Sequence, residues 1–280
     1  MVSFSSSFHP GTHNQTIWRF ARDGAQHPPR HEEDTIAVEA PIALEFNGLS
    51  HAVLLASPCD LADLAVGFAY TEGVIRQASD VYDVQVHAQA HGYVVAIEVA
   101  SACMQQLKQR RRQIAGRTGC GLCGLESLSE VMRPLEALAE PHHRVQPAAI
   151  FAALDALRER QPLHLQTGAT HAAALATAEG RIEVVREDVG RHNALDKLIG
   201  HLLRTQSLEA LSEHMAVVSS RASFEMVQKT AAAGLSTLVA VSAPTSLAIE
   251  LAQQLNLLLV GFGRQQHFSA YSHAHRLAKA

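Results

Sequence analysis

From Asp34 onward, apolar and polar positions follow two different periods, and the switches between them outline the architecture. Thr35-Ile36-Ala37-Val38-Glu39 and Ile42-Ala43-Leu44-Glu45-Phe46 repeat every second residue, Asn47-Gly48 is a hairpin turn pair, and His51-Ala52-Val53-Leu54-Leu55 follows. This pattern predicts an antiparallel hairpin. After Ser57-Pro58 the period lengthens: Leu61, Leu64, Ala65, Phe68 and Ala69 share one helical face, with Asp60 placed as the N-cap and Thr71-Glu72-Gly73 at the end. Two more strands are expected near Val81 to His87 and Tyr93 to Val99, about a turn at His91-Gly92. A short helix is expected from about Glu126 to Met132, stopped by Arg133-Pro134.

The second half has a different rhythm. Ile150, Leu154 and Leu157 mark a helix, Ala172 to Thr177 and Ile182 to Val185 a strand pair about Glu179-Gly180, and Arg191 to Leu203 another helix. Three short apolar runs, Met215 to Ser219, Leu238 to Val241 and Leu257 to Val260, are separated by helices about Phe224 to Ala233 and Ser246 to Leu255. Buried strands alternating with helices build a sheet covered on both faces. Residues 1–33 carry no sustained period and read as an irregular or disordered arm, and the Pro-rich polar stretch 140–147 reads as a linker. The expected organisation is an arm over 1–33, a smaller α+β domain over 34–140 and an α/β domain over 141–280, α+β overall.

Composition narrows the function classes. The 280 residues are 47% hydrophobic, enough for a sizeable core, and the formal net charge of -4 gives no global pull toward nucleic acid or an anionic membrane. No basic segment followed by an apolar core opens the chain, and runs such as Leu235 to Ala243 are too short to span a bilayer. Four cysteines are too few and too scattered for a disulfide-stapled domain, so a reducing, cytoplasmic setting is expected.

The chemistry gathers in Gly116-Arg117-Thr118-Gly119-Cys120-Gly121-Leu122-Cys123-Gly124, where two thiols sit among four glycines. A basic run upstream (Lys108, Arg110, Arg111, Arg112, Arg117) and a helix start downstream favour thiolate, the form that attacks sulfur or binds metal. The pair admits half a zinc site, a redox dithiol, a sulfur-relay nucleophile, or ordinary thiols in a mobile loop. Zinc would need a second pair, which Cys59 and Cys103 or the adjacent His142 and His143 are poorly placed to supply, so no metal site is expected. Two strand-to-helix turns and one further strand end offer ligand groups: Arg186-Glu187-Asp188-Val189-Gly190-Arg191-His192-Asn193, Ser219-Ser220-Arg221-Ala222-Ser223, and the closing Gly261-Phe262-Gly263-Arg264. Each alone reads equally as a charged cap. Side by side they would form one crevice for a phosphorylated ligand.

Taken together, RTGCGLCG, REDVGRHNALDK, SSRASFEMVQK and the closing LLLVGFGR and YSHAHRL resemble the FdhD/NarQ family of formate dehydrogenase accessory sulfurtransferases, from about Thr35 to Leu277. The resemblance implies a larger C-terminal domain similar to the three-layer cytidine deaminase fold. It also implies a homodimer and a sulfur carrier that takes persulfide sulfur from a cysteine desulfurase. The acceptor it implies is the bis-molybdopterin guanine dinucleotide form of the molybdenum cofactor, with its GDP-like moiety, destined for formate dehydrogenase. Carried over by motif, Cys120 is the persulfide cysteine and Cys123 the second thiol. Phe262, Gly263, Arg264, Gln265, Gln266 and His267 form the cofactor-binding stretch, to which Arg221, Ser219 and His192 are added from their strand-end positions. Deaminase chemistry is not implied, because no His-x-Glu precedes a Pro-Cys-x-x-Cys. The alternative is a non-catalytic chaperone that binds the same cofactor and docks on formate dehydrogenase.

Overall fold

The computed structural model describes residues 10–22, 28–117, 134–141, 144–205, 208–211, 213–263 and 266–279. Three sheets are present among them. The first pairs β1 (Thr12–Arg19) with β2 (Arg30–Ala37) antiparallel, from Thr12 opposite Ala37 to Arg19 opposite Arg30. Part of the expected irregular arm is therefore regular strand. Both strands are largely polar, and only the Thr35-Ile36-Ala37 end of β2 carries the alternation read from the sequence, so no sustained apolar period betrays the pair. Backbone pairing and cross-strand contacts hold them instead: the Trp18 ring stacks on His31 at 4.8 Å, and the Thr16 hydroxyl donates to Glu33 at 2.6 Å.

The second sheet has the order β4-β3-β6-β5, from β3 (Ala40–Phe46), β4 (Leu49–Ala56), β5 (Val81–Gln89) and β6 (Gly92–Val99). The Asn47-Gly48 turn joins β3 to β4 as the pattern predicts, both residues having positive φ. Thr35-Ile36-Ala37, however, belongs to β2 and pairs with β1. Helix α1 (Leu61–Thr71) follows β4 and buries Leu61, Leu64, Ala65 and Ala69 as expected. Asp60 does sit at its N-cap, but in a left-handed conformation whose side chain makes no capping bond. The basic run upstream of the two thiols, for which no element was expected, lies in α2 (Ser101–Arg117), where Gln, Lys and Arg are all strong helix formers.

The third sheet is six-stranded, with the order β12-β11-β10-β9-β7-β8. Its strands are β7 (His171–Ala176), β8 (Ile182–Asp188), β9 (Met215–Val218), β10 (Thr237–Ala240), β11 (Leu258–Gly261) and β12 (Ser269–Ser272). Helices α3 (Pro147–Glu159), α4 (Pro162–Thr167), α5 (Arg191–Thr205), α6 (Phe224–Ala232) and α7 (Ser246–Gln254) accompany it. Alternate strand residues supply two cores. Leu175, Val218, Leu238 and Leu259 pack with α5, α6 and α7, whereas Ala174, Val217, Val239 and Val260 pack with Ile150, Leu154 and Leu157 of α3. The result is the expected three-layer C-terminal half.

The halves share the first of these cores, which also contains Ile42, Phe46, Leu64 and Ile97. Helices α1 and α5 cross at Gly67 and Gly200, so closely that a Cβ on either would fall 1.8 Å from a carbonyl oxygen of the other helix region, Asp196 or Asp63. The stretch read as a linker is tied down where it is described. Leu138 donates its N–H to the Leu255 carbonyl, Asn256 reaches the Leu138 carbonyl and Glu140, and Val145 bridges to Leu277. Among the described residues, no helix is long and apolar enough to cross a membrane.

Candidate functional site

Strand directions decide where the polar turns meet. β9, β10 and β11 are mutually parallel, and β7 runs antiparallel to both β8 and β9. Four strands, β8 to β11 with β7 excepted, therefore end on the same edge, where β7 begins. That edge is where open α/β sheets bind ligands.

The turns that leave this edge interlock. Val241 N–H donates to the Val218 carbonyl at 3.0 Å and Thr245 N–H to the Ala222 carbonyl at 3.0 Å. Phe262 N–H donates to the Ser242 carbonyl at 3.1 Å, and Gly263 N–H to the Ala240 carbonyl at 3.1 Å. The turn of Arg221 is thus joined through the turn after β10 to Phe262 and Gly263. Phe262 takes a left-handed φ of 51°, a conformation that costs a non-glycine residue about 1–2 kcal/mol and is held by its neighbours. Gly263 lies against α3, and a Cβ there would come within 2.7 Å of the Leu154 side chain.

The expected site residues divide accordingly. Phe262 and Gly263 stand at the end of β11, with Gln266 and His267 exposed just beyond. Arg221 is exposed at the end of β9. Ser219 has a partly structural role, its Oγ accepting the Ala172 N–H at 2.8 Å while its own N–H donates to the Ala172 carbonyl, which clamps β7 to β9. His192 is half-buried at the start of α5, with Nε2 2.8 Å from the Glu225 carboxylate and 3.4 Å from the Ser223 hydroxyl. Burial holds the His192 pKa below its ordinary value, against the pull of Glu225. Cys120, Cys123, Arg264 and Gln265 lie outside the described residues.

Two residues that sequence reasoning did not single out belong to the same edge. His171 opens β7 directly opposite Asp188, and its pKa is lowered by burial and next by Arg191. Arg191 opens α5, half-buried, and its pKa is lowered by burial and then by the charge of Arg221. Arg191 was legible as a cation beside His192. His171 gave no signal, because its place depends on strand order.

Much of the acidic and basic content of the 186–197 segment is scaffold. Asp188 and Lys197 pair at 2.7 Å, both fully buried, and the Lys197 ammonium also donates to the carbonyls of Ser57 and Glu187. Arg186 donates to Asp63 at 2.9 Å, and Lys229 to Asp196 and Thr71. These contacts bind the α1 region to the larger sheet. The thiols of the two described cysteines are held toward their protonated form. Burial is the main cause pushing the Cys59 thiol pKa up, even with Lys197 Nζ 3.6 Å from its sulfur, and burial likewise raises that of Cys103.

Comparison with known proteins agrees with this architecture. A model of the FdhD/NarQ family matches residues 37–278. The sulfur carrier protein FdhD of Bordetella petrii is 54% identical over 246 residues, covering 88% of this chain and 87% of that protein. The protein of the same name from Cupriavidus necator is 52% identical over 247 residues, covering 87% and 84%. Among solved structures, a putative formate dehydrogenase accessory protein from Desulfotalea psychrophila superposes with a TM-score of 0.73 at 22% identity, over 96% of this chain and all of that one.

Proposed function

We infer, from the premise that this chain belongs to the FdhD/NarQ family, that it is a sulfur carrier acting in the maturation of formate dehydrogenase. Cys120 receives sulfur from the persulfide of a cysteine desulfurase in the cytoplasm. Its thiolate attacks the terminal sulfur of the donor persulfide, a new S–S bond forms on Cys120, and the donor cysteine leaves as thiolate with the electron pair. Cys123, three residues on, is placed to assist release: attack on the Cys120 sulfur would form a disulfide and expel hydrosulfide, and an external thiol would then restore the pair.

The acceptor substrate is the molybdenum cofactor in its bis-molybdopterin guanine dinucleotide form, held along the strand-end edge. The observation that carries this reading is the shared edge of β9 and β11. It joins Arg221 to the Phe262–Gly263 turn through hydrogen-bonded loops, giving a polar rim suited to a long phosphorylated ligand. Burial raises the thiol pKa of both described cysteines, which is consistent with sulfur being carried on the Cys120–Cys123 pair. A homodimer is part of the proposal. Incubation with a desulfurase and cysteine, followed by mass spectrometry, should reveal added sulfur on the wild-type chain and none after Cys120→Ala, while GDP binding is retained. Sulfur loading that survives Cys120→Ala would overturn the assignment. Normal formate dehydrogenase maturation by that variant would favour a cofactor chaperone instead.

A further inference from the structure

Positive charge is segregated in α2. Its 17 residues hold Lys108, Arg110, Arg111, Arg112 and Arg117 and none of the chain's 27 aspartates and glutamates. The whole chain has a formal charge of -4, so the chain outside α2 is more acidic still. A solvated helix gains from acids set three or four residues from its bases, and like charges at those spacings repel. Here Arg111 and Arg112 follow Lys108 by three and four residues with no acid between them. Lys108 forms no ion pair among the described residues, whereas Arg186 and Arg204 both pair with Asp63. Attraction to the helix C-terminus accounts for cations in the last turn only, and Lys108 to Arg112 lie before it.

Beside this charge lies an open groove of about 630 Å³, between Asn47, Gly48 and Leu49 at the turn from β3 to β4 and Gln105, Lys108 and Gln109 of α2. Both walls are fixed. The Asn47 amide donates to the Val99 carbonyl at 3.0 Å and accepts the Val99 N–H at 2.8 Å, and Cys103, Met104 and Leu107 anchor α2 in the core. A fixed polar groove next to cations without counter-charges fits an acidic segment of another protein. We propose that this groove and the cationic stretch of α2 dock an acidic surface segment of the sulfur donor. Cys120 follows Arg117 by three residues, at most about 10 Å of chain, so a donor seated on α2 is within reach of the thiol pair. Nucleic acid fits less well, because α2 has no aromatic side chain on which bases could stack and the chain's net negative charge repels a long polyanion. The identity of the donor as a cysteine desulfurase rests on the function proposed above. The acidic chemistry of the partner does not.

Sulfur loading of the full chain by a desulfurase and cysteine, followed by mass spectrometry over a range of desulfurase concentrations, tests the docking surface. The triple variant Lys108→Gln, Arg111→Gln, Arg112→Gln keeps strong helix formers and leaves Arg117, nearest the thiols, in place. At low ionic strength it should raise the half-saturating desulfurase concentration by about tenfold or more with the limiting rate within about twofold, and the difference should shrink in about 0.5 M salt. Gln105→Glu, which places a negative charge in the groove, should act in the same direction. Loading from cysteine persulfide, a small donor with no surface to dock, should be unchanged in both. Circular dichroism and thermal melts establish that the variants are folded. Unchanged half-saturation in the folded variants would overturn the docking surface and leave the sulfur-carrier reading intact. Equal slowing with desulfurase and with cysteine persulfide would overturn it too, because the cations would then act on the thiols themselves. Tighter binding of the wild-type chain to a single-stranded oligonucleotide of about 20 residues than to the desulfurase would reassign the stretch to nucleic acid. Failure of the wild-type chain to take sulfur from either donor would refute the sulfur-carrier function, and donor docking with it.

Discussion

The Lys197 ammonium lies 2.7 Å from the Asp188 carboxylate with both side chains fully buried, and it donates at 3.0 Å to the Ser57 carbonyl from the other half of the chain. Asp188 in turn accepts the N–H groups of Ser57 and Gly190 and the Asn193 amide. One ion pair thus fixes both the junction between the halves and the turn that presents Arg191 and His192. Lys197→Met should destabilise the protein by about 3–5 kcal/mol, because it leaves a carboxylate buried without its counter-charge. Denaturant unfolding checks the magnitude, and loss below about 1 kcal/mol would mean that the pair is not isolated from water.

The crossing of α1 and α5 depends on having no side chain at Gly67 and Gly200. A methyl group at either meets backbone, which cannot rotate away: 1.8 Å from the Asp196 oxygen at Gly67 and 1.8 Å from the Asp63 oxygen at Gly200. Gly200→Ala should therefore cost about 1–3 kcal/mol or more in chemical denaturation, despite its gain in helix propensity. Gly263→Ala should be milder, since the atoms it meets first belong to the Leu154 side chain.

Stability should fall in mild acid. Burial holds His171, His192 and His201 below the ordinary 6.5, helped by Arg191 at His171 and by Arg186 at His201 and opposed by Glu225 at His192. The unfolded chain accepts protons that these native imidazoles refuse, so stability rises with pH through the interval just below 6.5 and is lost as pH falls through it. Thermal melts between about pH 7.5 and pH 5 should show this, with His171→Asn flattening the slope.

Thiol reactivity should sort the cysteines. Alkylation near neutral pH, followed by peptide mass spectrometry, should label Cys120 and Cys123 well before Cys59 and Cys103, whose thiols burial holds protonated. Cys59→Ala and Cys103→Ala should leave sulfur loading intact. Loss of loading in either variant would relocate the sulfur relay.

Legibility followed the range of the physics. Helices α5, α6 and α7 and strands β9, β10 and β11 match the apolar periods within a residue or two, because each depends on local propensity and on one buried face. The pairing of β1 with β2 did not register beyond the Thr35-Ile36-Ala37 alternation, since it joins two largely polar segments. The acids and bases of 186–197 read equally as an exposed cap or a site. Their actual role, largely buried pairing to α1, depends on partners more than a hundred residues away, such as Asp63 and Ser57.

The amino-acid order alone determined most of the elements, the two thiols set among glycines and the motifs that mark the family, since periodicity, turn chemistry and residue type are local properties. Only the tertiary structure decided which strand ends share an edge. It brought His171, Arg191 and Arg221 to one corner and left the Arg191 Nε without a partner among the described residues, because strand order and direction are set by packing between distant segments.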